Sequence, residues 1–511
     1  MSQTAAPAAR GIELIVAAVG ASALGIEIAA ARLLAPYFGT STIIWANTIA
    51  TVLLALSIGY WIGGRIADRD PTLRGLCRLV LIAGLLLAAV PFIAHPFLSV
   101  AIDALDSIAA GAFVGSLLAV LALAAIPLVL LGAIAPYAVR LSVTSVAESG
   151  RVTGRLYAIS TIGSLVGVFL AALLLIPFFG TQLTFLAFAL ILVLVAATGL
   201  SRRALIAPLA VVLLMAVPTG SIKAASPGRT VLEEQETDYG FARIVQTSTG
   251  DRWLELNEGV AIHSLLLANR SPLTGGYWDE QLVLPFTRSG RSAGSSAPSS
   301  VAILGNAGGT MARSYGILLP QTQVTGVEID GRLTELGERW LDLRPRPSLT
   351  LKTSDARLFL RTTNKRFDAI TVDAYRQPYV PFHLATKQFF ELVRDHLNPG
   401  GVVIINVGHP SNDNALEKAL TATVASVFGP VLRDPAEPEN TQLIAGRGIP
   451  LASRLKAADG MPAILRATAA AAAERIEPGL RGGSVWTDDK APVEWTIDGS
   501  IIKIALNPSL R

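Results

Sequence analysis

Four carboxylates and one glycine turn recur in the second half of this chain, each just after a short apolar run. The turn is Gly305-Asn306-Ala307-Gly308-Gly309, Glu328 and Asp330 close GVEID, Asp355 follows LTLKTS, and Asp373 follows FDAITV. A glycine turn lets backbone amides approach a ligand closely. A carboxylate about 20 residues further on suits the two hydroxyls of a ribose. An aspartate after the next run can accept from an adenine amino group. The competing role for Asp330 and Asp355 is to cap the helix that follows each. As a set, these residues point to a nucleoside-type ligand.

The elements that must hold them follow from periodicity. VAILG (301–305) reads as a buried strand, and QVTGVEID (323–330), LTLKTSD (349–355), FDAITVDA (367–374) and GGVVIINV (400–407) read as the strands that follow. Between them GGTMARSYGILL, LTELGERWLDL, ARLFLRTT and TKQFFELVRDHL read as helices. Such alternation specifies a doubly wound parallel sheet with helices on both faces. Ligands bind such sheets beyond the carboxyl ends of the strands, where the acids lie. Upstream, 240–262 reads as a β-hairpin or meander, and SGRSAGSSAPSS at 289–300 as a mobile low-complexity loop.

The first half is of another kind. The chain is 51% hydrophobic and 16% charged, with a mean hydropathy of +0.51, a balance that requires membrane-spanning segments. Apolar runs cover 11–35, 42–64, 79–101, 111–138, 157–178 and 182–200, and a shorter seventh, 204–218, contains Pro208 and Pro218. The first run is too long, and too polar at Glu27 and Arg32, for a cleaved signal peptide. The expected organisation is a helical transmembrane bundle of six or seven spans over 1–220, a β-hairpin region with a linker over 221–300, and the α/β domain over 301–511. Residues 1–220 carry eleven arginines, no lysine and seven acids, whereas the rest carries 31 basic and 31 acidic side chains. The basic balance thus reports membrane-flanking arginines rather than nucleic-acid binding, and places the arginine loops in the cytoplasm. One cysteine, Cys77, excludes an internal disulfide, and with five scattered histidines no metal site is expected. Glu27, Arg32 and Asn47 form either a polar path in the bundle or structural contacts. Gly59, Gly63, Gly64, Gly163 and Gly167 are spaced for close helix packing.

The run GNAGGT…GVEID…SDAR…VDAYRQPYVPFHL…FFELVRDHLNPGGVVIINV resembles the spermidine/spermine synthase family of aminopropyltransferases. LNEGVAIHS, YWDEQLVLPF and TDDKAPVE extend the likeness across most of 240–495, and the whole chain resembles bacterial proteins that fuse a membrane bundle to such a domain. The resemblance implies the fold of S-adenosylmethionine-dependent methyltransferases and spermidine synthases. It places Gly305 and Gly309 in the donor's glycine loop, Glu328 at its ribose, and Asp355 with Ala356 beside its adenine. It makes Asp373 the first aspartate of the family's D-x-x-D loop, which deprotonates or orients the attacking amine. It sets Tyr277 and Asp279 on a Tyr-x-Glu near the acceptor. The implied donor is decarboxylated S-adenosylmethionine, the implied partner a small-molecule amine, and a homodimer is a further implication.

Two positions depart from the family. The aspartate that binds the donor's primary amine is Ala307, and the second aspartate of D-x-x-D is Arg376. Both remove negative charge where a cationic amine would sit. An alternative is therefore intact S-adenosylmethionine, its carboxylate paired with Arg376 or Arg357, giving aminocarboxypropyl or methyl transfer. A third reading is a transporter or sensor whose soluble domain binds a nucleoside or polyamine without catalysis. The aromatic segment around Arg376 suggests a lid, with Tyr375, Tyr379 and His383 as walls. Because the implied donor is cytosolic, the α/β domain is expected on the cytoplasmic face, with 204–218 interfacial or re-entrant.

Overall fold

Seven α-helices are described in the first of two units, Met1–Ala224 and Ala225–Arg511. The computed structural model describes residues 5–38, 42–105, 111–218, 222–223, 228–257, 261–289, 297–375, 379–409, 413–457 and 459–506. The helices are α1 Ala5–Phe38, α2 Thr42–Arg69, α3 Leu73–Leu105, α4 Gly111–Ser142, α5 Ser149–Leu170, α6 Ile176–Ala197 and α7 Ile206–Met215. Five stretches are long and apolar enough to cross a membrane: Arg10–Phe38, Ile44–Arg69, Leu73–Ala94, Leu117–Ser142 and Val146–Ala197. The last has 52 residues, about 78 Å as one helix and far more than a ~30 Å hydrocarbon core. It does not run straight. Gly180 lies at φ 79° and ψ 174° and breaks the helical path within α6, so one helix runs up to it and a second departs from it.

Small residues bring the helices together. A Cβ on Gly59 or Gly63 would lie 2.3 or 2.4 Å from the Val129 or Ala133 carbonyl oxygen of α4, and on Gly163 or Gly167 2.2 or 2.0 Å from the Ala17 or Ala21 oxygen of α1. Four of the five expected glycines therefore serve backbone-to-backbone packing. Gly64 does not: nothing lies within 4 Å of its missing Cβ.

The second unit opens with a four-stranded antiparallel sheet of β1 Arg229–Glu236, β2 Phe241–Thr247, β3 Arg252–Leu256 and β4 Ile262–Leu266, in sequence order. Helix α8, Trp278–Val283, leads to the large sheet through β5 Ser300–Leu304, α9 Thr310–Leu318, β6 Gln323–Glu328, α10 Gly331–Trp340, β7 Leu349–Thr353, α11 Ala356–Thr362, β8 Phe367–Val372, α12 Lys387–Asp395 and β9 Leu397–Gly408. The remainder is α13 Ala415–Phe428, β10 Leu432–Glu437, β11 Asn440–Gly446, α14 Arg466–Arg475, β12 Glu477–Pro478 and α15 Val493–Leu506. The strand order is β12-β10-β11-β9-β8-β5-β6-β7. The five strands expected from the sequence are the parallel ones. Beyond β9 the sheet continues antiparallel through β11, β10 and β12, an extension that the sequence reading stops short of.

Alternation along the strands divides the core. Ala302, Leu304, Ile370, Val372, Val403 and Ile405 pack beneath α11, α12 and α13. Val301, Ile303, Ala369, Val402 and Ile404 face the opposite way, toward α9 and α14. Both faces are covered, as a parallel sheet requires. The small sheet packs Ala242, Ile244 and Leu254 on Leu333 and Leu336 of α10, which sets it beside the carboxyl ends of β5 and β6.

Candidate active site

The chain passes outward from β5 to β6 and β7, then returns to β8 on the other side of β5. The crevice between β5 and β8 is thus the switch point at which open α/β sheets take ligands. Gly305 ends β5 at φ +94°, and a Cβ there would lie 2.4 Å from the Asp373 carbonyl oxygen. Only glycine lets the two strand ends close to this separation.

Asp373 leaves the end of β8 with both carboxylate oxygens engaged. Tyr277 Oη, just before α8, donates to Oδ2 at 3.1 Å, and Asn406 Nδ2 of β9 donates to Oδ1 at 2.8 Å. Asn406 Oδ1 accepts from Gln442 Nε2 at 2.7 Å, and Gln442 Oε1 from Gln281 Nε2 at 2.9 Å. This relay of amides fixes which end of Asn406 faces the acid. Burial pushes the Asp373 carboxyl up to about 7, and the Asn406 and Tyr277 hydrogen bonds partly oppose it. Burial and the neighbouring Asp373 push the Tyr277 hydroxyl well above its ordinary range, so it stays protonated and donates.

Glu328, at the end of β6, accepts from the Ala307 amide at 2.7 Å and the Asp330 amide at 3.1 Å. Burial nevertheless raises its carboxyl to about 7. Asp330 accepts from the Arg332 amide at 3.0 Å and caps α10. Asp355 caps α11 through the Leu358 amide at 2.9 Å, while its other oxygen meets His383 Nε2 at 2.9 Å. Burial works to raise the Asp355 carboxyl, but Leu358 and His383 outweigh it and hold it below its ordinary value. Both aspartates cap a helix and also line the cavity.

That cavity has a volume of about 230 Å³. Gly305, Glu328, Asp330, Asp355, Ala356, Asp373 and His383 line it, and with them Ala307 and Tyr375. Its described lining includes four carboxylates and neither lysine nor arginine. Gly309 stands behind it, at φ +86°, as the N-cap of α9. Tyr277 is not a lining residue and reaches the site through Asp373. Asp279 accepts from the Thr274 amide and hydroxyl at 2.9 and 3.0 Å and from the Gly275 amide at 2.8 Å, so it holds the turn that sets Tyr277. Tyr379 Oη donates to Asp498 at 2.5 Å, away from the lining. Arg357 forms a bidentate pair with Asp488 at 2.8 and 2.6 Å and also donates to the His383 carbonyl. Arg376 lies outside the described residues.

Sequence reasoning missed Asn406, Gln442 and His263. Asn406 interrupts GGVVIINV, an otherwise apolar strand, and a buried amide there needs a partner; that interruption was the available signal. His263, Asn257 and Tyr239 line the cavity from the small sheet, and no spacing rule ties them to strand ends in another sheet. Among the described residues, no group of three His, Cys, Asp or Glu could hold a metal ion.

An open sheet with a glycine turn and strand-end acids around a switch-point cavity defines a doubly wound α/β domain. Within that class, residues 292–433 match the family model of the spermine/spermidine synthase domain. A probable polyamine aminopropyl transferase of Bifidobacterium longum (strain NCC 2705) is 35% identical over 198 residues, 38% of this chain and 42% of that protein. A polyamine aminopropyltransferase of Vibrio vulnificus (strain CMCP6) is 30% identical over 135 residues, 26% of this chain and 44% of that protein. The chain thus spans less than half the length of these curated relatives. A solved structure, a probable spermidine synthase from Corynebacterium glutamicum ATCC 13032, aligns at 20% identity over 51% of this chain and 98% of that one, with a TM-score of 0.36, too low to argue from.

Proposed function

We propose that this chain is a membrane-bound aminopropyltransferase of the spermidine synthase type, moving an aminopropyl group from decarboxylated S-adenosylmethionine to an amine. The observation that carries the reading is Asp373, held between Tyr277 and Asn406 in the lining of an acidic switch-point cavity. Glu328 takes the ribose hydroxyls, and Asp355 with His383 and Ala356 takes the adenine edge. Asp373 removes a proton from the acceptor ammonium, and its raised basicity suits that step. The freed nitrogen attacks the methylene next to the sulfonium. A carbon–nitrogen bond forms, the carbon–sulfur pair returns to sulfur, and a neutral thioether leaves without acid assistance. Fixing nitrogen and carbon in line is most of the remaining catalytic work.

The lining also bears on the donor. Four carboxylates with no described lysine or arginine favour a cationic ligand, and the donor without a carboxylate is the more cationic. Arg357, a candidate partner for a carboxylate, is committed to Asp488. Five helices apolar and long enough to cross a bilayer support membrane attachment.

The test is turnover by the purified full-length protein with each donor and a diamine. Release of the adenosyl thioether with an aminopropylated amine, from the decarboxylated donor alone, is expected. Methyl or aminocarboxypropyl product from the intact donor overturns the reading, as does donor binding with no product.

A further inference from the structure

One end of the helical bundle gathers nearly all its positive charge. Arg155 of α5 reaches Glu13 near the start of α1 at 2.9 Å, and Arg140 at the end of α4 reaches Asp68 at the end of α2 at 3.2 Å. Tyr137 Oη bonds to the carbonyls of Asp70 and Thr72, just before α3. Cys77, early in α3, packs on Gly199 just past α6, where an added Cβ would lie 2.4 Å from Sγ. The starts of α1, α3 and α5 and the ends of α2, α4 and α6 therefore share this end. Every arginine of residues 1–220 except Arg32 lies in or beside it. Under the positive-inside rule this end is cytoplasmic.

The chain leaves the bundle at the other end. Gln182, immediately after the break at Gly180, donates from Nε2 to the Val217 carbonyl at 3.3 Å. Tyr37, at the far end of α1, donates to the Ile222 carbonyl at 2.8 Å. Helix α1 has 34 residues, about 51 Å, so its two ends lie on opposite sides of a ~30 Å hydrocarbon core. Between Arg202 and Val217 the chain has crossed from the arginine end to the end marked by Tyr37. Helix α7 is only ten residues long, but the 3-10 turn Arg202–Leu205 precedes it. The arginines of that turn can reach outward while the bilayer thins locally, as happens for short spans.

We infer that residues 202–217 make a seventh crossing and that the α/β domain is displayed on the face opposite the arginine loops, outside the cytoplasm. This reverses the expectation drawn from the sequence, where 204–218 is too short to decide and the donor's source favours the cytoplasmic side. One consequence rests on the proposed function: donor and acceptor both reach the cavity from outside. A sulfonium nucleoside carries fixed charge and does not diffuse through hydrocarbon, so a carrier-mediated export step must supply it.

The test does not depend on catalysis. In a Cys77→Ser background, Val146→Cys and Ser201→Cys place single thiols at the exposed arginine end, and Thr249→Cys places one on an exposed turn of the small sheet. With a membrane-impermeant maleimide on intact cells, Thr249→Cys is expected to label and the other two only after permeabilisation. Protection of Thr249→Cys, or labelling of all three before permeabilisation, overturns the inference. A reporter active only outside the cytoplasm, fused after Arg511 of the unsubstituted chain, should be active; an inactive fusion at normal abundance also overturns it. Neither readout changes if the transferase reading alone fails.

Discussion

The Tyr277 hydroxyl and the Asp373 carboxylate, 96 residues apart in the chain, meet at 3.1 Å. The turn gripped by Asp279 sets the first, and β8 delivers the second to the carboxyl end of the sheet. The pairing gives Asp373 a donor on one oxygen while Asn406 occupies the other, so the carboxylate is oriented before an amine arrives. Asp373→Asn keeps the shape and removes the base. Its kcat is expected to fall about 10²–10³-fold with donor affinity within about twofold, read by steady-state kinetics and calorimetry. Tyr277→Phe removes only the orienting donor and should cost about tenfold in kcat. Loss of donor binding in Asp373→Asn would assign the residue to the donor instead.

Desolvation pushes the Asp373 carboxyl up to about 7, and the sign of its effect on rate follows. Only the carboxylate can take a proton, so kcat/KM should fall below an acidic limb near the value of about 7 to which burial pushes the group. Asn406 donates to the charged form and lowers this value. Asn406→Leu should therefore move the limb to higher pH, with a smaller loss in the plateau rate at high pH. A pH–rate profile whose limb stays in place would remove Asp373 as its origin.

The parallel sheet and most of this candidate site could be read from sequence because each acid comes at the end of a short strand-like run in a regular strand–helix alternation. Glu328 and Asp373 needed only that periodicity and the rule that strand ends carry function. Asp355 and Asp330 were ambiguous between capping and binding; both cap a helix and both line the cavity. The relay from Asp373 to Asn406, Gln442 and Gln281 joins two strands and a helix far apart in sequence, and no local pattern encodes it. The antiparallel strands β10 to β12 were missed because LRDPAE and NTQLIAG mix polar residues into short runs. The crossing inferred for 202–217 was illegible for another reason: the apolar run 204–218 is too short for length alone to decide.

Stability should depend on pH in a direction that these acids set. Asp373, Glu328 and Glu280 each have carboxyls raised to about 7, by burial in every case. Between their ordinary values near 4 and about 7 the folded domain therefore holds more protons than the unfolded chain. Stability falls as pH rises through that window. The α/β unit should melt at least ~3 °C lower at pH 8 than at pH 5.5, and a bound cationic donor should narrow the gap. Scanning calorimetry at the two pH values, with and without donor, checks both.

Ala307 bears on donor preference. It lies at φ +45°, a conformation that aspartate accepts more readily than most residues, and it lines the cavity beside Glu328. Ala307→Asp adds a carboxylate able to pair with the donor's primary ammonium. It should tighten the decarboxylated donor about tenfold and leave the intact donor unimproved, because its carboxylate would be repelled. Equal tightening of both donors would show that the amine does not lie at this turn.

The bundle allows a cleaner comparison, because glycine has opposite effects at two kinds of position. In an exposed helix interior, Gly→Ala stabilises by about 1 kcal/mol through backbone entropy. Gly64, half-buried, leaves the same room, with nothing within 4 Å of the missing Cβ. At Gly167 the same atom would lie 2.0 Å from the Ala21 carbonyl oxygen, and at Gly163 2.2 Å from that of Ala17. Helices α1 and α5 would have to separate along the seam where both glycines sit. Gly167→Ala should thus lower the melting temperature of the detergent-solubilised protein by several degrees, while Gly64→Ala leaves it unchanged or raises it. Gly163→Ala combined with Gly167→Ala should cost less than the sum of the two, since one separation of the helices relieves both contacts. Full additivity would mean that each clash is relieved locally, and the α1–α5 seam would then not be held by these two glycines together.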